Sequence, residues 1–321
     1  MSKINLHLKS RHVYYSKRFN PSKHTLPAVI LIFLIILFFS NRFNCQTNFK
    51  KYYISPDILK YDEFKDISIT DSLIRQINKT SVNIDALPEE VLSLGLILNN
   101  FSYKNLNETI SEKLTSKDSF NALSEKIDTD NKNNKNYTTI KQELTSISKA
   151  ILEDFIYFPI ALKLNGNTNS YYFSDSWQAN RSYGGERVHE GCDIMTKENV
   201  RNYYPVVSMC DGVVENKGWL ELGGYRLGIR STNGLYIYYA HLASYDDRID
   251  IGATVKAGQL LGYAGDTGYS KVEGTTGNFK VHLHVGIYFH YSADDGQLYE
   301  VPVNPYTILK RLEGNYIKYD Y

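Results

Sequence analysis

Three cysteines among 321 residues are too few for a disulfide framework, so the fold must rest on a packed core. Cys192 and Cys210 can pair once exported, a point the sequence leaves open. Excess charge of one sign is missing too. Thirty-six basic against thirty-five acidic side chains leave a formal +1, which removes the basic field that would draw in nucleic acid, and no nucleic-acid partner is expected. No internal repeat is evident. With 42% hydrophobic residues the chain can bury a real core, which excludes a wholly disordered chain.

The first 25 residues carry Lys3, Lys9, Arg11, Lys17, Arg18 and Lys23 without one acidic residue, and an apolar run from Leu26 to Phe39 follows. This pattern is an export signal. The run is about fourteen residues, short for a spanning helix, and its length alone favours a cleaved signal peptide. The flank Ser40-Asn41-Arg42-Phe43-Asn44-Cys45 lacks a small-x-small cleavage pattern, however, and Arg42 can snorkel so that Thr25 to Phe43 span the bilayer. The reading adopted is a cytoplasmic basic stub over 1–24, an uncleaved transmembrane anchor over 25–43, and the rest outside the cell membrane. Secretion after cleavage is the alternative. Arg42-Phe43-Asn44 is a poor lead-in to a lipidated Cys45.

From Gln46 to about Phe155 histidine is absent, and so is any further cysteine, so catalysis is not expected there. Residues 44–155 read as a helical spacer. Pro88-Glu89-Glu90 before Val91, Leu92, Leu94, Leu96, Ile97 and Leu98 opens one helix. Ile140, Leu144, Ile147 and Ile151 fall at helical spacing in another, with Thr139 and Gln142 matching a capping box. Asp128 to Asn136 between them looks like a solvated linker, placed near 128–137. A partner-binding or inhibitory role is the alternative to a spacer.

After Tyr157 short β-branched and aromatic runs alternate with glycine, as in Val206-Val207, Gly212-Val213-Val214, Leu235 to Ala240 and Val281 to Ile287. The expectation is a mainly β domain over 156–321, an antiparallel sheet with an open groove. Gly252, Gly258, Gly262, Gly265 and Gly268 divide hairpins rather than form a phosphate loop, because no strand-to-helix transition follows them.

Of eight histidines, His7, His12 and His24 lie in the stub and the other five fall between His189 and His290. His282-Leu283-His284 sits in a strand-like run, where residues two apart share a face about 6.6 Å from each other. Such a pair alone is more often a satisfied core feature than a ligand set. His189-Glu190-Gly191-Cys192-Asp193 tips the balance, since extended backbone presents His189 and Asp193 on one face and turns Cys192 away. Two imidazoles and a carboxylate suit zinc and leave a fourth position for a water whose pKa the metal lowers. A truncated thermolysin-like His-Glu-x-x-His helix is disfavoured, because the fifth residue is aspartate and Gly191 weakens a helix. His290, about 20 Å along the strand from His284, reads as a surface or structural histidine.

His189-x-x-x-Asp193, Tyr239-Ala240-His241-Leu242 and His282-x-His284 together resemble the three signature motifs of lysostaphin/LytM-type zinc endopeptidases. The likeness covers roughly Ser174 to Tyr306. It includes Asp211-Gly212-Val213-Val214, Gly252-Ala253-Thr254-Val255-Lys256-Ala257-Gly258 and Gly262-Tyr263-Ala264-Gly265-Asp266-Thr267-Gly268. The resemblance implies one zinc per chain on His189, Asp193 and His284, with His241 and His282 as catalytic histidines off the metal. It implies hydrolysis of peptide bonds in bacterial peptidoglycan. Many relatives carry glycine and proline where this chain has Gln178 and Asn180, so the groove edge differs there. Two alternatives accompany this reading: a non-catalytic envelope scaffold or activator on the same fold, and a secreted peptidase acting on proteins. Tyr238 and Tyr239 are candidates for groove walls or core. Oligomeric state is not legible.

Overall fold

The computed structural model describes residues 53–54, 65, 92–93, 97, 117–165, 170–292 and 298–321. The expected stub (1–24), the expected membrane anchor (25–43) and most of the segment opening at Pro88 lie outside the described residues, although Leu92 and Ile97 are helical and buried. Among the described residues no helix is long and apolar enough to cross a membrane.

Helix α1 (Lys117–Asn131) and helix α2 (Tyr137–Asp154) form a hairpin. Ile140, Leu144, Ile147 and Ile151 are all buried, as their spacing requires. The ends differ from expectation. α2 begins at Tyr137 with Asn136 as its cap and no side-chain capping bond, so Thr139 and Gln142 fall inside the helix. The expected linker shrinks to the turn 132–136. Asp128 lies within α1, and its carboxylate accepts bonds from Tyr137 Oη at 2.5 Å and Lys141 Nζ at 2.6 Å, which stitch the two helices together.

The strands are β1 (Tyr53–Ile54), β2 (Leu162–Lys163), β3 (Tyr171–Tyr172), β4 (Asn180–Arg181), β5 (Arg187–Val188), β6 (Cys192–Thr196), β7 (Pro205–Val207) and β8 (Gly212–Leu220). They continue as β9 (Gly224–Ser231), β10 (Tyr236–Tyr245), β11 (Thr254–Val255), β12 (Leu260–Ala264), β13 (His282–Ser292), β14 (Leu298–Val303) and β15 (Lys318–Tyr319). The main sheet runs β11-β8-β9-β10-β13-β6-β3, with β12 on β10 and β14 on β13. Every pairing along that path is antiparallel. This is the mainly β domain the glycine-punctuated runs call for.

Alternation divides the sheet into two faces. Leu283, Val285 and Ile287 of β13, with Cys192 and Ile194 of β6, are fully buried in the core. His282, His284 and Asp193 therefore take the other face. The Cys192 and Cys210 thiols are both free and buried, and burial pushes both pKa values up.

The C-terminal end of α2 is anchored on the sheet. The buried Asp154 carboxylate accepts from Ser231 Oγ at 2.5 Å and Asn233 Nδ2 at 2.9 Å. Burial raises the Asp154 pKa to about 6, against the opposing bonds from Ser231 and Asn233 and with a small push from Glu153. A carboxyl whose folded pKa exceeds its unfolded value binds protons more tightly in the folded state, so stability falls as pH rises from about 4 to about 6. Denaturant titrations of wild type and Asp154→Asn across that window are expected to diverge, with wild type losing up to about 3 kcal/mol relative to the variant. Parallel curves would show that the carboxyl does not titrate in this range.

Candidate metal centre and cleft

Strand register builds the centre. His284 lies directly opposite Asp193 across the β13–β6 pair and opposite Ala240 across the β13–β10 pair. His189 enters from the segment after β5, where its backbone is pinned to the β4 side by Gln178 N–H to His189 O and His189 N–H to Ala179 O. His284 Nδ1 then lies 2.9 Å from His189 Nε2 and 3.0 Å from Asp193 Oδ1, and His189 Nε2 lies 3.1 Å from Asp193 Oδ1. One donor atom from each of the three residues falls within 4.8 Å of the others.

The donor set fits a cation. His189 Nδ1 lies 2.9 Å from the Ser176 carbonyl, and donating its hydrogen there turns the Nε2 lone pair toward the cluster. Two ring nitrogens and a carboxylate oxygen thus converge on one point, with spacings a few tenths of an ångström under those of ligands about 2.0–2.1 Å from a tetrahedral zinc. Burial opposes the Asp193 charge, but the close approach of His189 and His284 outweighs it and holds its pKa far below the carboxylate range. Arg181 Nη2 grips the outer Asp193 oxygen at 2.7 Å.

Two further histidines stand beside the cluster. His241 Nδ1 lies 2.8 Å from the Thr267 carbonyl and His282 Nδ1 lies 2.7 Å from the Lys280 carbonyl. With those hydrogens donated, each ring keeps Nε2 free. The two rings are 4.7 Å apart, and His282 Nε2 is 3.8 Å from Asp193 Oδ1. Burial depresses the His241 pKa well below its usual value, so this ring is neutral and able to accept a proton. His241 has φ of 61° and sits where the β9–β10 register shifts between Tyr239 and Leu242. Simple alternation would send His241 into the core with Tyr239; the bulge turns it onto the cleft face.

All five residues expected at the site come together. His290 stands apart, with Nδ1 3.6 Å from Glu300 on β14. Tyr239 belongs to the core, fully buried with its Oη accepting from Met209 N–H at 2.9 Å, while Tyr238 lines the cleft. Glu190, one residue from His189, would turn away from the site on an extended strand. His189 to Gly191 is not strand, so parity does not apply there, and Glu190 lines the cleft although it is not part of the metal cluster.

The cleft holds about 670 Å³. Tyr183 from the β4–β5 turn stacks on Tyr269 at 4.4 Å, and Arg187 Nη2 donates to Tyr269 Oη at 3.1 Å, tying two of its walls together. Sequence reasoning missed Arg181 and this aromatic strap, because pairing between distant loops leaves no periodic trace. It also passed over Gly191, where a Cβ would run into the His284 ring and come 2.7 Å from the Val285 carbonyl oxygen. Gly191→Ala is therefore expected to weaken zinc affinity by about 10- to 100-fold, measured by competition with a chelating dye. Unchanged affinity would mean that the His284 ring has room to move.

The model of peptidase family M23 matches residues 187–305. The crystal structure of lytM from Ruminococcus gnavus is 38% identical, with a TM-score of 0.61 over 81% of this chain and 94% of that one. The L-Ala–D-Glu endopeptidase of Bacillus subtilis is 38% identical over 164 residues, 51% of this chain and 44% of that protein. Lysostaphin of Staphylococcus simulans is 33% identical over 85 residues, 26% of this chain and 16% of that protein. The chain belongs to peptidase family M23. It spans less than half the length of these two curated relatives.

Proposed function

We propose that this protein is a zinc-dependent endopeptidase that hydrolyses peptide bonds in bacterial peptidoglycan. The observation that carries the reading is the convergence of His189, Asp193 and His284 on one point, with His241 and His282 beside it. His189, Asp193 and His284 would hold the ion. When bound, zinc supplies a Lewis acid that polarises a carbonyl and acidifies water. Arg181 keeps the Asp193 carboxylate oriented. His241 and His282 present Nε2 to the cleft, so one takes a proton from the attacking water while the other, when it carries a proton on Nε2, donates to the carbonyl oxygen as it becomes negative. A scaffold role gains no support from a site in which all five groups are in place.

Relatives named for cleavage in L-Ala–D-Glu and as lysostaphin support peptidoglycan as the substrate class, and make the L-Ala–D-Glu bond the first to test. Full-length protein stripped with chelator and reloaded with zinc should release muropeptides from purified sacculi, with mass spectrometry locating the cut. Intact sacculi in the presence of stoichiometric zinc would sink the reading. The basic stub and the lack of a small-x-small cleavage pattern after the apolar run support a membrane-held, extracytoplasmic enzyme. In intact cells external protease is expected to reach sites after Lys51 and spare an epitope placed before Lys23. A soluble mature form starting near Asn41 would instead establish cleavage.

A further inference from the structure

Three arginines line the cleft, and two of them are engaged. Arg181 holds Asp193, while Arg187 donates to the Tyr183 carbonyl and to Tyr269 Oη. Arg226 differs, because its Nη1 is buried without a hydrogen-bond partner. A charged donor buried in that state is costly to hold, and facing a cleft it is positioned to be completed by a bound group.

Register places this arginine. Leu227 pairs with Tyr239 and Tyr225 with Leu242, which brackets Arg226 against Ala240 and His241. Ala240 is opposite His284, and His284 is opposite Asp193. Arg226, Ala240, His284 and Asp193 thus form one row across four adjacent strands, with neighbours about 4.8 Å apart. Ala240 has no side chain beyond Cβ, so the floor between Arg226 and the metal cluster is open. The aromatic walls depend on glycine: a Cβ at Gly223 would strike Tyr238 Oη and one at Gly228 would strike the Tyr236 ring.

We infer that Arg226 is a specificity-determining residue that binds a free carboxylate on the substrate peptide, close to the scissile bond. The inference rests on the peptidase reading above and names the substrate class that the same site prefers. Arg226 stands two strand spacings, about 9.6 Å, from His284, and its long side chain lines the cleft between them, so a peptide that rises about 3.3 Å per residue brings a group one or two residues from the carbonyl at the cluster within reach of the guanidinium. The planar guanidinium fork matches a carboxylate in charge and shape, whereas a carboxamide brings no charge and presents a donor to a donor.

The test uses the zinc-loaded full chain and two synthetic peptides, N-acetyl-L-Ala-γ-D-Glu-L-Lys with the glutamate α-carboxyl either free or converted to the carboxamide. Wild type is expected to favour the free acid in kcat/KM by about 10- to 100-fold, the range of a charge-assisted hydrogen bond. Arg226→Gln should erase that preference by lowering the free-acid rate alone, and Arg226→Lys should restore part of it. The amide peptide also reports folding, since its rate should stay within about twofold in every variant. Equal cleavage of both peptides by wild type, or an equal fall on both in Arg226→Gln, would overturn the assignment. Cleavage of neither peptide also overturns it. In that case digestion of sacculi leaves the peptidase reading standing, whereas intact sacculi take both down.

Discussion

Replacing His284 with alanine is expected to abolish stoichiometric zinc binding, and His189→Ala and Asp193→Ala should each do the same. His284 Nδ1 is the hub of the cluster, 2.9 Å from His189 Nε2 and 3.0 Å from Asp193 Oδ1. Three-point ligation leaves no spare protein donor, so a loss of more than about a hundredfold in affinity follows from removing any one. His282 is the nearest substitute, but its Nε2 stands 3.8 Å from Asp193 Oδ1 and its Nδ1 is held near the Lys280 carbonyl. Elemental analysis of the purified full chain should give about one zinc in wild type and near none in the three variants. Full occupancy in all three would refute the ligand set.

His241→Ala and His282→Ala are expected to separate chemistry from metal binding. Both rings lie beside the cluster with Nδ1 committed to a backbone carbonyl, so each variant should keep its zinc. Hydrolysis of peptidoglycan should nevertheless fall by about a hundredfold or more, the range for loss of a general base or an oxyanion donor. Glu190→Gln supplies the control. Glu190 lines the cleft without belonging to the metal cluster, so its variant should stay within several-fold of wild type. Near-complete inactivation by Glu190→Gln, with both histidine variants still active, would move the general base to the glutamate. Loss of zinc from His241→Ala or His282→Ala would instead make that residue a ligand.

Much of the site was legible because β alternation is a local rule. His282 and His284 share a face, Leu283 takes the core, and Cys192 turns away from Asp193, all from the two-residue period of a strand. The four-residue spacing of His189 and Asp193 was read on the same rule, although His189 to Gly191 is not strand. The pair meets because backbone bonds to Gln178 and Ala179 at the base of the β4–β5 hairpin hold His189 with Nε2 3.1 Å from Asp193 Oδ1. Family resemblance, rather than period, is what brought in His241. The helical stripe of α2 was equally plain, but its start was not, because the helix is capped at Asn136 without a side-chain bond and not at Thr139.

The sequence by itself thus determined the class of fold, the residue types gathered in the cleft, and which side chains of β6 and β13 share a face. The tertiary structure alone decided that a bulge swings His241 out of the core, that Glu190 faces the cleft, that Arg181 holds Asp193, and that Arg226 stands in one row with His284. The division has one physical cause. Periodicity and propensity act between near neighbours and leave a trace in the residue order, whereas strand register, bulges and loop-to-loop contacts join positions far apart in the chain and exist only once the sheet has formed.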